Sequence, residues 1–384
     1  MMNVFKRLLS VFMCIVLSVV MLAGCGEADR QTEIENGKIK IGVSIWSLSD
    51  SLGSQCKRIL DRTAEVLGDV VLEYDETDHI SEQVKASVEK LAADGCKGIL
   101  LCNSSDREMR SSINVCDENQ IYLAQFFREI SKEESRDVYD LAIDSPYYIG
   151  TVHENEFDNG QRLCSILLEN GCREIGLIGW EQGDATWLER WHGYSNAVNE
   201  WNSTHHDDFA TLLSPVYSGT TVDGGKKAAN KIMSENPDLD ALIPAGGGGD
   251  PLKGALLAID EAEKTGEIKV VSTDFCEDLD ARLKNGSITA ESGGHYCDPL
   301  FAFMLVYNAI KGNYKGFADK IIEIMYPYLF IDSHEAYEGY DKYFVKELPF
   351  SDDELKEMAG LDVDDLIQKA SSVSIEDVAA RHKG

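Results

Sequence analysis

The chain has 384 residues, enough for two ordinary domains, and 43% of them are apolar. A formal net charge of −31 argues against nucleic acid as a partner and against electrostatic attachment to anionic lipid. Ten cysteines occur without any Cys-x-x-Cys spacing, which removes the usual zinc and redox motifs.

Residues 1–24 have the build of an export leader. Lys6-Arg7 is followed by an apolar run from Leu8 to Leu22, interrupted only by Ser10 and Ser18. That run is too short to span a bilayer comfortably. It ends in Leu22-Ala23-Gly24-Cys25, which resembles the bacterial lipoprotein signal. The resemblance implies cleavage before Cys25 and lipidation of that cysteine. Residues 26–38 are polar and read as a flexible tether. Of the eight cysteines beyond Cys25, Cys276 and Cys297 are the best disulfide candidates. The favoured reading for all eight is nevertheless buried free thiols acting as small hydrophobes.

From Ile39 onward short apolar runs alternate with amphipathic ones. Strands are expected at Ile39–Ile45, Val70–Tyr74, Gly98–Cys102, Ile121–Phe127, Ile175–Ile178, Leu212–Tyr217 and Ile321–Ile331. Helices are expected at Ser54–Leu67, Ile80–Ala93, Arg107–Asn119, Phe157–Leu168, Leu188–Trp201 and Gly224–Glu235. This is the pattern of an α/β protein with mostly parallel sheets. A closed barrel would end after eight strand–helix pairs, and the broken rhythm at 128–150 favours two doubly wound lobes instead. Ser351 to Glu354 is a capping box opening a short helix, and residues 346–384 form an acidic helical tail.

The stretch from Leu242 to Asp274 is one βαβ unit: strand, four glycines from Gly246 to Gly249, helix, strand. Ligands of such sheets sit beyond the carboxyl ends of the strands, and both of these strands end in a carboxylate, Asp250 and Asp274. The glycines do not complete a dinucleotide fingerprint, since the third glycine position holds Pro251 or Leu252. No Gly-Lys-Ser/Thr follows either, so no nucleotide or other cofactor is expected. His205-His206-Asp207-Asp208 reads as a solvated loop, so no metal is expected. No Gly-x-Ser-x-Gly elbow or other nucleophile–base pair points to an enzyme.

Several segments, in order, resemble the type I periplasmic sugar-binding proteins of the ribose- and galactose-binding group. They are Ile39-Lys40-Ile41-Gly42-Val43-Ser44, Gly98 to Leu101, Tyr148 to Val152 with Gly160, Arg190-Trp191-His192-Gly193-Tyr194, Asp238 to Ala258, and Val270 to Asp274. The resemblance spans about residues 39–312. It implies two lobes joined by three crossovers, with a ligand held between them. It also implies where the ligand contacts lie: Trp46, Ser49 and Asp50 after the first strand, Arg128, Asn155, Arg190, Asp274, and His295 beside the third-crossover position Gly294. Phe127 replaces the family's acidic residue, and Gly249 replaces an asparagine. Carboxylates and guanidinium groups suit hydroxyl-rich ligands, and an indole suits the apolar face of a sugar ring. Trp187 is the preferred second tryptophan.

The sequence therefore predicts an extracytoplasmic, lipid-anchored, monomeric solute-binding protein. Its ligand would be a sugar or sugar-like molecule, delivered to an ABC permease or presented to a membrane sensor. The expected lobes are 39–148 with about 295–320, and 149–294 with about 321–345.

Overall fold

The computed structural model describes residues 37–246, 250–314 and 321–383. The leader, Cys25, the tether up to residue 36 and Gly249 lie outside the described residues.

Two separate sheets are present, as two doubly wound lobes require. The first lobe is built from β1 (Ile39–Ile45), α1 (Ser51–Leu67), β2 (Val70–Glu76), α2 (Ser81–Ala93), β3 (Gly98–Leu101), α3 (Asp106–Asn119), β4 (Tyr122–Phe126), α4 (Arg136–Asp144) and β5 (Tyr148–His153). The second lobe follows with α5 (Glu156–Glu169), β6 (Glu174–Gly179), α6 (Ala185–Thr204), β7 (Thr211–Leu212), β8 (Val216–Tyr217), α7 (Val222–Glu235), β9 (Ala241–Pro244), α8 (Asp250–Glu261), β10 (Lys269–Thr273), α9 (Leu279–Asn285) and β11 (Ala290–Gly293). The chain returns to the first lobe for α10 (Asp298–Ile310) and β12 (Ile322–Met325), then gives β13 (Leu329–Ile331) to the second. Strand order is β12-β5-β4-β3-β1-β2 in the first sheet and β13-β11-β10-β9-β6-β7 in the second, with β8 also on β6. All pairings are parallel except β11 with β13.

Parallel strands covered by helices on both faces must be apolar throughout. Ile41, Val43 and Ile45 of β1, all of β3, and Val270 and Val271 of β10 are buried accordingly. Helix ends follow local chemistry. The Asp50 carboxylate accepts from Gly53 N at 2.8 Å to open α1, and Gly68 closes it in the left-handed region.

The structure corrects several sequence expectations. β5 and β12 belong to the first sheet, so the first lobe runs to His153 and also takes residues 322–325. The expected strand Ile321–Ile331 is two strands in different lobes. Pro327 stands between them and has no amide hydrogen for a ladder. Pro215 splits Leu212–Tyr217 in the same way. Residues 128–150 contain α4 rather than an irregular join. The disulfide alternative for Cys276 and Cys297 is not realised: all eight described cysteines are free thiols, as the favoured reading had it, with Cys276 only half-buried. The tail is packed: a π-helical turn (Asp341–Lys346) between α11 (His334–Tyr340) and α12 (Asp352–Met358), then α13 (Val363–Ser371) and α14 (Ile375–Arg381). Leu355, Met358, Leu366, Ala370 and Val378 of these helices are buried.

Candidate functional site

Three short segments cross between the lobes: 153–156 after β5, 293–298 after β11, and 325–329 between β12 and β13. The carboxyl ends of the strands of both sheets meet around them. Backbone strain collects at the same place. Asp78, His79, Phe127 and Asp274 all have positive φ, at +49°, +57°, +64° and +70°, just past β2, β4 and β10. Residues other than glycine rarely adopt this region, and such outliers concentrate at ligand sites.

The first lobe contributes an aromatic wall. The Trp46 indole stacks on the His79 ring at 5.4 Å, with the planes 4° apart, and meets Phe127 at 5.6 Å. Trp46 Nε1 donates to Asp50 Oδ2 at 2.5 Å, so one carboxylate both caps α1 and orients the indole. Ser49 lies exposed beside it, its amide donating to Ser47 Oγ. Arg128 is half-buried, and its carbonyl accepts from the Thr151 hydroxyl. Burial and then the Arg128 charge lower the His79 imidazole, favouring its neutral form.

The crossovers continue the wall. Phe127 meets His295 edge-on at 5.1 Å, and His295 meets Tyr328 at 4.9 Å. The Tyr328 hydroxyl donates to Glu156 Oε1 at 3.0 Å. His295 Nε2 lies 3.5 Å from Asp274 Oδ1, which joins the second crossover to the second lobe.

Arg190 is the cationic centre of the second lobe. Its Nε and Nη2 form a fork with Glu156 at 2.6 and 2.8 Å. Two glycines make this possible. A Cβ at Gly160 would stand 2.2 Å from the Arg190 carbonyl oxygen, and one at Gly193 would stand 2.1 Å from that of Phe157. Only their absence lets α5 and α6 approach backbone to backbone, which brings Arg190 onto Glu156. Arg190 also lies over the Trp180 ring at 5.4 Å, and Trp180 Nε1 donates to the Gly246 carbonyl at 2.6 Å. Burial alone would raise the Glu156 carboxyl, but Arg190 outweighs it and holds it below the ordinary range. Arg190 Nη1, His295 Nδ1 and Asn159 Oδ1 are buried and have no hydrogen-bond partner among the described residues. Groups of this kind are costly unless something polar meets them.

Residues 41–295 match the family description "Periplasmic binding protein domain". The chain belongs to that family. Solved structures share the type I periplasmic-binding-protein fold. An ABC transporter periplasmic solute-binding protein from Actinobacillus succinogenes with bound D-allose is 14% identical with a TM-score of 0.67. That match covers 79% of this chain and 100% of the other. A solute-binding protein from Bacillus halodurans with bound myo-inositol is 18% identical with a TM-score of 0.64, covering 80% and 98%. The arabinose-binding component from Shewanella, bound to L-arabinofuranose, is 16% identical with a TM-score of 0.65, covering 79% and 95%. Comparison with curated protein sequences gives no match.

Set against this periplasmic-binding-protein frame, the candidates from sequence fall into three groups. Trp46, Ser49, Asp50, Arg128, Arg190, Asp274 and His295 stand on the strand-end loops, the second crossover or the facing helix, as described above. Asn155 lies on the first crossover, but its side chain caps α5, accepting from Asp158 N at 2.9 Å. Trp187 is fully buried in the core of the second lobe beside Tyr194, and Asp250 is exposed at the start of α8. Arg190 forks with Glu156, and the Asp274 charge also favours its charged form. Glu156, Tyr328, His79 and Trp180 were not singled out from sequence as contacts. A His-Glu-Asn-Glu run at the crossing was the available signal for Glu156, but nothing local tells which carboxylate faces the arginine.

Two further charged groups sit at the hinge. His153 Nδ1 faces the Glu154 carbonyl at 3.1 Å, and Nε2 faces Glu323 at 3.1 Å with Glu129 at 3.9 Å. Glu323, which shows no partner in the sequence, thus has one. The ligand atoms of this trio lie within 4.8 Å of one another. Glu154 and Asp298 lie on the first two crossovers, are buried, and have oxygens without hydrogen-bond partners. Burial pushes Asp298 up to about 8; burial and then Asp298 push Glu154 well above its ordinary range.

Proposed function

We propose that this chain is an extracytoplasmic solute-binding lipoprotein that captures a sugar or sugar-like polyol between its lobes and delivers it to an ABC importer. The observation that carries the reading is Arg190. Its guanidinium is pinned on one edge by Glu156 and backed by Trp180, while Nη1 remains for a ligand acceptor. An aromatic wall and a strand-end aspartate stand with it, the set a ring bearing hydroxyls uses. D-allose, myo-inositol and L-arabinofuranose in the neighbouring structures supply the first ligands to try.

Closure follows from having contacts on both lobes. A ligand that touches both stabilises the closed arrangement by its differential affinity for it. No general base beside a nucleophile enters this reading, and the ligand leaves unchanged. Leu22-Ala23-Gly24-Cys25 supports attachment through a lipidated Cys25.

The test is a thermal-shift screen of sugars and polyols followed by calorimetry. A ligand at 100 times its dissociation constant should add about 2.7 kcal/mol to apparent stability. A sugar that shifts the transition and is recovered intact supports the reading. Conversion of the sugar by the pure protein, or no response across the screen, removes it. Separately, mass spectrometry should find a diacylglyceryl group on the mature wild-type protein, and Cys25→Ser should abolish it.

A further inference from the structure

The chain crosses between the lobes once more after β13. α11 is bound to the second lobe: His334 Nδ1 meets Asp280 Oδ1 of α9 at 2.5 Å, and the Tyr340 ring meets Phe275 edge-on at 4.6 Å. Immediately afterwards the chain is bound to the first lobe. The Arg58 guanidinium of α1 donates to the carbonyls of Val345, Lys346 and Glu347, at 3.2 and 3.1 Å for the last two. Arg62, one turn on, forms a fork with Asp352 at 3.0 and 2.5 Å. The Tyr296 hydroxyl, on the second crossover, donates to the Phe344 carbonyl at 2.7 Å in the buried interior. Beyond this point α12 packs on α1, and Asn308 of α10 donates to the Met358 carbonyl at 3.1 Å.

We infer that residues 340–347 are a strap, a fourth connection between the lobes that limits how far they open. The segment is a π-helical turn with bonded ends, so it has little slack. Rotation that separates Phe275 from α1 must either stretch it or break the Arg58 bonds. Three carbonyls converge on that one guanidinium, as at a helix C-terminus, where a cation also meets the negative end of the dipole. Tyr343 and Phe344 at the middle of the strap are buried, while Val345 at its lobe-one end is 39% exposed, so the turn is held by its bonded ends, by Tyr296 and by the burial of its two central rings. A strapped hinge keeps the unliganded lobes closer together and leaves less ordering for the ligand to supply on closure.

The inference rests on the hinge-closure reading but is tested without ligand. Small-angle scattering of the full mature protein gives the radius of gyration of the unliganded form. Arg58→Ala, which removes three bonds from the lobe-one end, should increase it. A short Gly-Ser insertion between Tyr340 and Asp341, between the Phe275 contact and the Arg58 bonds, lengthens the link while both docked ends keep their contacts, and it should increase the radius as well. The second variant decides the matter if Arg58→Ala does not fold. An unchanged radius in the folded variants, with only a lower melting temperature, would mean that the tail merely stabilises the first lobe, and the strap would be discarded. A sugar screen without hits would count against the binding proposal and leave this comparison intact.

Discussion

Phe127 and Asp274 occupy matching places in the two lobes, each the first residue past a central strand, and both are held in the left-handed region at φ +64° and +70°. Their amides are fixed by ladder bonds, Phe127 N to the Val152 carbonyl and Asp274 N to the Ser292 carbonyl. The strain therefore turns each side chain out of its sheet at the place where the lobes meet. Asparagine tolerates this backbone region and alanine less so. Asp274→Asn should keep the melting temperature of the unliganded protein while weakening sugar binding, because a neutral amide accepts a weaker hydrogen bond. Asp274→Ala should lower both. Paired melting curves and calorimetry separate the two, and equal loss of stability in both variants would refute the backbone argument.

Arg190 and Glu156 should fail together. The sequence alone suggests that Arg190→Ala would spare the unliganded fold, because an open cleft is wet. The structure changes that expectation, since the Arg190 side chain is only 4% exposed. Glu156→Gln leaves a buried guanidinium without its counter-charge and should cost ~3–5 kcal/mol of stability. Arg190→Ala should cost ~2–4 kcal/mol of binding as well as destabilising the apo protein. A double-mutant cycle in urea measures the coupling. Near-additive effects would mean that the fork contributes little.

His153 should make the hinge sensitive to pH. Burial lowers its imidazole, but the Glu323 hydrogen bond and the Glu129 charge outweigh it, and the net shift is upward. A raised folded-state value means the stabilisation is complete below the unfolded value of about 6.5. It is lost as pH rises through the higher folded value. Glu323→Gln should therefore lower the melting temperature at pH 5.5 more than at pH 8.5. The same penalty at both would show that His153 carries no charge there.

The Glu154–Asp298 pair should act in the same direction for a different reason. Burial raises both carboxyls, Asp298 to about 8, so the folded state keeps protons that the unfolded chain releases near pH 4. Stability should fall as pH climbs from about 4 toward 8 on this account. Asp298→Asn imitates the protonated acid and should flatten that slope, raising the melting temperature near pH 8. A slope identical to wild type would place the titration elsewhere.

The alternation of buried apolar runs with amphipathic ones was enough to specify helix-covered parallel sheet, because each strand needs helices on both faces and each helix needs one apolar side, whereas two lobes rather than a barrel was argued from a broken rhythm at 128–150 that α4 in fact fills. The resemblance put Trp46, Asp50, Arg128 and Asp274 just past strands, and there they stand, because the end of a strand is a place in the chain as well as a place in the fold. Local sequence could not decide which groups meet across the crossovers. Tyr328 lies 172 positions from the Glu156 that it bonds, and Arg190 reaches Glu156 only because Gly160 and Gly193 let two helices touch. Trp187 was the preferred second tryptophan on helical spacing, and packing buried it in the core of the second lobe. The residues that hold the lobes together depend on approach distances between segments far apart in sequence, and those distances exist only once both sheets have formed.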